Sequence, residues 1–473
     1  MFDYLQADGV SDETSTPEIL VPHLGKADYS GKTLRVLALD TSSDYVKTQI
    51  SPDVFIPEPL YDAVLKRNEL LKIEYGFDIQ CEYKFFNEYN AHLRNYANLS
   101  IDSYDLYAAD AYTLSLLAPA GYVQDLLDIP NSHMQLDKEW WDKDYNNDLS
   151  IANKLFVATG DIFFLDDQFT QSIYFNKDII KQYNLDNPYA LVESGDWTLD
   201  KMYAMAKIVA KDDGDDVMNF EGDDIWGLVS GRFDLYNLLI ACNSPMVKKD
   251  YNTDEPYLAM KEQHSISAFE KVFDIYADED SIAYAERFYS WDDPLIDKVY
   301  NSFSRGKTLF FISSINDISE KYKNSTIVDY GVLPLPKYNK SQENYISPVN
   351  QYYFYSLAIP KYEYADFDFI TFAVEAMAYT SKTLVTPVYY DTLLKHKRAD
   401  DEETVKIFEP ILANKTSDLA LIFKWDDCNN YYSELLTKKS NDIVTKIEER
   451  KAAFEAAINK TLEDINKYKT RMG

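Results

Sequence analysis

The chain is short of nearly everything that reactive chemistry draws on. Three cysteines, Cys81, Cys242 and Cys428, are spread over 473 residues. They are odd in number and far apart, so they make neither a disulfide framework nor the close spacing of a zinc site. A chain this long can bury enough core to need no disulfide staple, so the shortage does not choose a redox compartment. The five histidines (His23, His92, His133, His264 and His396) are scattered and offer poor general bases. No GxSxG elbow, HExxH pair or GxGxxG fingerprint occurs. Gly31-Lys32-Thr33 and Gly306-Lys307-Thr308 echo the end of a phosphate loop. Both lack its earlier glycine and lead into strands, so no helix N-terminus would face a phosphate. Adjacent carboxylates such as Asp166-Asp167 do not suggest a glycosidase pair, because sequence neighbours as a rule point apart, whereas such a pair must converge from opposite sides of a bond. An enzyme is therefore not expected, nor a cofactor or a bound metal. No stretch reaches the ~18 consecutive apolar residues that would span a membrane.

What is present is acid and tyrosine. Against 47 Lys and Arg stand 79 Asp and Glu, a formal charge of −32, which repels nucleic acid and anionic lipid. The acidic run 212–224 (DDGDDVMNFEGDD) lacks the ligand spacing and closing glutamate of a helix-loop-helix calcium site, and reads as a solvated loop. With 46% hydrophobic and 27% charged residues the chain is globular, and at this length two lobes are expected. The 39 tyrosines outnumber the 25 phenylalanines. Tyrosine joins an apolar face to a polar tip and so suits wet interfaces and sugar pockets. The first residues, FDYLQADGVSDETSTP, are small, polar and acidic, with no apolar signal-peptide core. They read as a flexible tether over residues 1–30.

Order is expected to begin at the turn Tyr29–Lys32, followed by Thr33–Leu39, an apolar run typical of a buried parallel strand. Residues 57–75 carry Leu60, Val64, Leu65, Leu70 and Leu71 at helical spacing and stop at Gly76. Residues 77–83 then alternate as a second strand, and Leu106–Ala109 forms a third. Strand–helix–strand order of this kind builds an α/β sheet with right-handed crossovers. Thr198 is placed to cap a helix whose Met202, Met205, Ala206 and Val209 share one face. Residues 442–468 form a final amphipathic helix with Ile443, Ile447, Phe454, Ile458, Leu462 and Ile465 on one stripe. Trp140-Trp141 read as packing locally, and Trp226 and Trp291 are open between core and ligand site.

Several segments, in order, resemble the extracellular solute-binding proteins of ABC importers, the family that includes maltose-binding protein. Residues 104–126 (YDLYAADAYTLSLLAPAGYVQDL) resemble its strand-then-helix segment. Residues 173–177 (IYFNK) resemble its L-Y-Y-N-K strand, and Trp197-Thr198 with Asp200 its T-W-D-E helix start. Residues 306–318 (GKTLFFISSINDI) resemble its G-K-A-A-M strand, and Tyr330–Pro336 (YGVLPLP) its Y-G-V-x-P-x-P segment. Residues 384–430 are similar to the tail of a Firmicute-type subgroup. At Ile315-Asn316-Asp317, where many sugar binders carry tryptophan, this chain departs from the family.

The resemblance implies an α/β, two-lobed periplasmic-binding-protein-like fold of type II, with a three-segment hinge and a central ligand cleft. The N-lobe would take residues 31–159 and 353–388, and the C-lobe residues 160–352 and 389–473. It also implies an extracytoplasmic, monomeric cell-surface lipoprotein of a Gram-positive bacterium. Such a protein would capture a carbohydrate and deliver it to ABC permease subunits, touching the membrane only through a lipid anchor ahead of Met1.

Sugar recognition needs aromatic faces for the C–H side of the ring and planar polar groups for its hydroxyls. Candidates are sought where lobe strands end. They are Asp40, Ser42, Ser43 and Asp44 after the first strand, and Asp110 and Tyr112 after the third. Asp166, Asp167 and Gln168 follow the first crossing, and Arg232, Phe233 and Asp234 follow Gly231. Asn316 and Asp317 end the strand from Leu309, while Tyr352, Tyr353 and Tyr355 follow the second crossing and Trp425 lies in the tail. A binder of peptide or polyamine, or a carbohydrate-active enzyme, stands as the alternative.

Overall fold

The computed structural model describes residues 20–40, 47–52, 59–99, 103–315, 328–362, 365–396 and 402–467. In chain order the strands are β1 (Thr33–Asp40), β2 (Asp78–Phe85), β3 (Leu106–Asp110), β4 (Gln171–Asn176), β5 (Trp226–Ser230) and β6 (Val247–Lys249). They continue as β7 (Pro256–Leu258), β8 (Ile282–Tyr284), β9 (Thr308–Ser314), β10 (Tyr330–Leu333), β11 (Ser347–Pro348), β12 (Tyr355–Ala358) and β13 (Lys415–Thr416). The chain divides into two compact units. Unit 1 comprises Met1–Asp166, Gln351–Lys395 and Thr461–Gly473, and unit 2 comprises Asp167–Asn350 and His396–Lys460.

Unit 1 is built on a sheet of order β12-β3-β1-β2. β1 lies parallel to both neighbours, with Val36 opposite Cys81 on β2 and opposite Leu106 on β3. β3 is buried along its whole length and β1 along its carboxyl half, as interior parallel strands must be when helices cover both faces. The helix Pro59–Tyr75 stops at Gly76, whose φ of +80° suits glycine alone among common residues, and a Cβ there would meet the Ser30 backbone at 2.8 Å.

Unit 1 also encloses a carboxyl group. Glu375, on the helix Phe367–Leu384, is fully buried. Its Oε1 accepts from Trp140 Nε1 at 2.9 Å and faces His23 Nε2 at 2.8 Å, and its Oε2 accepts from Trp141 Nε1 at 2.8 Å and the Gln135 backbone N–H at 3.0 Å. The two tryptophans therefore serve a partner more than 230 residues away rather than local packing. The same contacts correct the expected tether: residues 1–19 lie outside the described residues, but the chain from Leu20 is held. Val21 is buried with its N–H donating to Tyr75 Oη at 3.2 Å, and Tyr29 Oη donates to Asp368 at 2.9 Å.

Unit 2 carries a mixed sheet of order β10-β4-β9-β5-β8, in which β5 is parallel to β8 and β9 while β4 runs antiparallel to β9 and β10. The helix Leu199–Val209 opens as expected, with Thr198 Oγ1 accepting from Lys201 N–H. Its buried Met202, Met205, Ala206 and Val209 lie against β5. The approach is closest at Gly227, where a Cβ would stand 2.4 Å from the Ala206 carbonyl oxygen. The final helix, Ile443–Lys467, buries Ile443, Ile447, Phe454, Ile458 and Ile465 but leaves Leu462 half-buried.

The Glu375 cluster makes a direct prediction. Glu375→Leu would strand two buried indole N–H groups without an acceptor, so unfolding in urea should show a loss of about 3–5 kcal/mol. Glu375→Gln retains one acceptor oxygen and should lose distinctly less. Equal stability of Glu375→Leu and the parent would refute the structural role assigned to this carboxylate.

Candidate ligand-binding edges of the two sheets

In unit 1 the parallel strands place their last residues at one edge. β1 ends at Asp40 and β3 at Asp110, and antiparallel β12 begins there with Tyr355 opposite Asp110. Asp40 is buried and pairs with Lys47 Nζ at 3.2 Å. Asp110 caps the short helix Ala111–Ser115, accepting the Thr113 backbone N–H and the Thr113 hydroxyl, each at 2.8 Å. Burial pushes its carboxyl pKa up to about 6, against the lowering effect of those two bonds. Tyr112, half-buried, meets Tyr352 edge-to-face with centroids 5.3 Å apart. Tyr352 and Tyr353 are 40% and 42% exposed.

The same edge holds two aromatics that the sequence reading missed. Phe85 ends β2 directly opposite Asp40, Phe86 follows it, and each is 54% exposed. Large apolar rings left in water at a strand terminus are uncommon enough to signal a contact surface. The signal available in the sequence was the pair Phe85-Phe86 just past the alternating run, which had been ended two residues early at Tyr83.

In unit 2, β5 and β9 release their carboxyl ends at one edge, at Ser230 and, further along, at Ser314, where antiparallel β4 begins with Gln171 opposite Ser314. Asp167 and Gln168 lie just before β4 and are buried, with Asp167 Oδ1 2.8 Å from Lys415 Nζ. After β5 the chain turns through Gly231, whose N–H donates to Asp234 Oδ2 at 2.7 Å, while Asp234 Oδ1 accepts from Asn237 Nδ2 at 2.9 Å. The Arg232 backbone N–H donates to Glu286 Oε2 at 2.8 Å, and its guanidinium lies 4.8 Å from the centroid of the Phe233 ring, itself exposed.

Two candidates are placed elsewhere by packing. Trp425 is 3% exposed, stacked on Phe423 at 5.2 Å and edge-on to Phe454, so it is a core residue of unit 2 with no face left for a ligand. Tyr355 is buried inside its sheet and its hydroxyl donates to the Leu39 carbonyl, which makes it a brace between β12 and β1. Ser42, Ser43, Asp44, Asn316 and Asp317 lie outside the described residues, as does the side chain of Asp166. Trp226 is core, and Trp291 is exposed.

The raised Asp110 pKa has a sign that can be tested. A carboxyl whose folded pKa exceeds its unfolded value stabilises the fold when protonated, and that contribution is lost as pH rises through the folded pKa. Moving from about 4 to about 6 corresponds to on the order of 3 kcal/mol. Asp110→Asn keeps a capping oxygen but does not titrate. Between pH 4 and pH 7 the parent should therefore lose stability relative to Asp110→Asn by this order, measured by paired urea titrations. A difference that is flat with pH would show that Asp110 is ordinarily solvated.

No protein-family model matches the chain, and no curated protein matches it in sequence. Solved structures do match. An ABC substrate-binding protein from Listeria monocytogenes in complex with cycloalternan aligns at 12% identity and a TM-score of 0.53, covering 94% of this chain and 99% of its own. A cyclo/maltodextrin-binding protein complexed with maltotetraose aligns at 15% identity and a TM-score of 0.57, covering 94% and 100%. The maltose-binding protein MalE of Listeria monocytogenes, in complex with maltose, aligns at 13% identity and a TM-score of 0.56, covering 93% and 99%. The chain thus has, over nearly its whole length, the α/β two-lobed fold of type II periplasmic binding proteins.

Proposed function

We propose that the protein is the solute-binding component of an ABC importer, which captures a carbohydrate, an oligosaccharide, outside the cytoplasm and passes it to permease subunits unchanged. The observation that carries this reading is the agreement of fold along the full chain with proteins whose bound ligands are cycloalternan, maltotetraose and maltose. The sheet edges supply what such ligands need. Phe85, Phe86, Tyr112, Tyr352 and Tyr353 offer apolar faces beside the carboxylates Asp40 and Asp110. In unit 2, Asp167, Gln168, Arg232, Phe233 and Asp234 offer polar groups and one further ring, and the proposal extends to Ser42, Ser43, Asp44, Asp166, Asn316 and Asp317.

The reading brings an architecture and an address. Residues 31–159 and 353–388 would form one lobe and residues 160–352 and 389–473 the other, joined by three hinge segments that bend on binding. The protein would act as a monomeric lipoprotein on the surface of a Gram-positive cell. No helix among the described residues is long and apolar enough to cross a membrane.

A thermal-shift screen against linear and cyclic oligosaccharides tests the proposal. A ligand at a hundred times its Kd should stabilise the fold by about 2.7 kcal/mol. Tyr112→Ala should weaken the best ligand by about 1–3 kcal/mol in calorimetry through loss of one aromatic face. Asp110→Ala is the poorer probe, because it also removes a helix cap worth roughly 1 kcal/mol of stability. Chromatography after long incubation should return the glycan intact. Cleaved product, or no stabilisation by any glycan, would defeat the reading.

A further inference from the structure

The turn after β5 leaves one strong donor without an acceptor. Arg232 is fixed through its backbone by Glu286, yet among the described residues its guanidinium makes no hydrogen bond and no ion pair, and its Nε is buried without a partner. In a chain with 79 acidic against 47 basic residues, a cation that has found no carboxylate runs against the composition. Burying a donor unpaired is unfavourable, so the group is organised for an acceptor that arrives from outside.

The surroundings say what kind of acceptor. Arg232 lines a pocket in unit 2 together with Asn430, Ser433, Glu434, Thr437 and Lys438. The helix Tyr431–Thr437 and its cap put Ser433 with Thr437, and Glu434 with Lys438, at four-residue spacing along this wall. Glu434 is already neutralised by Lys446 Nζ at 2.6 Å, whereas Lys438 makes no ion pair among the described residues. The neutral groups have committed their protons. Ser433 Oγ donates to the Asn430 carbonyl at 3.0 Å, Thr437 Oγ1 to the Ser433 carbonyl at 2.8 Å, and Asn430 Nδ2 to Asp427 at 2.9 Å. Their side-chain oxygens are left as acceptors. The pocket therefore offers two cationic donors and several neutral acceptors.

We infer that this pocket seats an acidic sugar, its carboxylate on Arg232 and Lys438 and its ring hydroxyls donating to the oxygens of Ser433 and Thr437. The inference rests on the carbohydrate-binding reading and narrows its ligand class. A neutral hydroxyl would also satisfy Nε, but hydrogen bonds between ionised partners are about twice as strong, and the planar guanidinium fork matches a carboxylate. The net charge of −32 does not oppose this at the site, because charges beyond about 8 Å are largely screened at physiological salt.

Thermal shift and calorimetry on the full chain decide it. The probes are galacturonate and glucuronate oligosaccharides, neutral gluco-oligosaccharides of equal length, and inorganic phosphate. Acidic oligosaccharides should raise the melting temperature, with affinity falling as salt is added. Arg232→Gln should weaken them about tenfold to a hundredfold and Lys438→Gln severalfold, with Arg232→Lys intermediate and the ligand-free melting temperature unchanged in all three. If neutral sugars bind and acidic ones do not, this inference falls while the carbohydrate reading stands. If neither class binds, both fall. Acidic sugars that bind Arg232→Gln as well as the parent, or phosphate alone binding with the same Arg232 dependence, would also overturn it.

Discussion

Parallel pairing is the constraint on which the rest depends. Once β1 is hydrogen-bonded in parallel to β2 and β3, and β5 to β8 and β9, every one of those strands must release its carboxyl end at the same edge of its sheet. Residues as far apart as Asp40, Phe85 and Asp110 become neighbours by register alone, without any direct attraction between them. Unit 2 repeats the arrangement with Ser230 and Ser314, and the antiparallel strands β12 and β4 start where the parallel ones stop. The chemistry of each edge is thus decided by short segments that the sheet itself does not need.

Those segments organise their own carboxylates. Asp110 is held by Thr113, three residues on, and Asp234 holds Gly231 behind it and Asn237 ahead of it. The orientation of each acid is thereby fixed by its own segment. A ligand that meets such groups loses little entropy in ordering them, which is how a site of modest size can bind firmly. The cost falls on Asp110 as desolvation, visible in its raised pKa.

What the sequence made legible was whatever is local. The cap and stripe of Leu199–Val209 span little more than ten residues, and the apolar runs of β1 and β3 declare an interior position by themselves. Assignments that depended on distant partners did not come through. Trp425 was expected at a ligand and is instead stacked on Phe423 and edge-on to Phe454, the latter 29 residues further on. Tyr355 reads as a free strand tyrosine until Leu39 is brought beside it. Glu375 looks like a misplaced acid in an apolar helix, since its indole donors lie 234 and 235 residues away. Phe85 and Phe86 were passed over because alternation weakens at the end of an edge strand, although the ladder itself continues to Phe85.

The three cysteines, unremarkable in the sequence, are made unequal by the fold. Cys242 and Cys428 are buried, and desolvation pushes both thiols far above the ordinary range, so almost no thiolate forms. Cys428 further donates to the Ala420 carbonyl at 3.2 Å. Cys81 alone is partly accessible, on β2 four residues ahead of Phe85. The unaltered chain therefore offers a single addressable sulfur in the folded state, where a fluorophore would sit on the strand that delivers two exposed rings to the edge of unit 1.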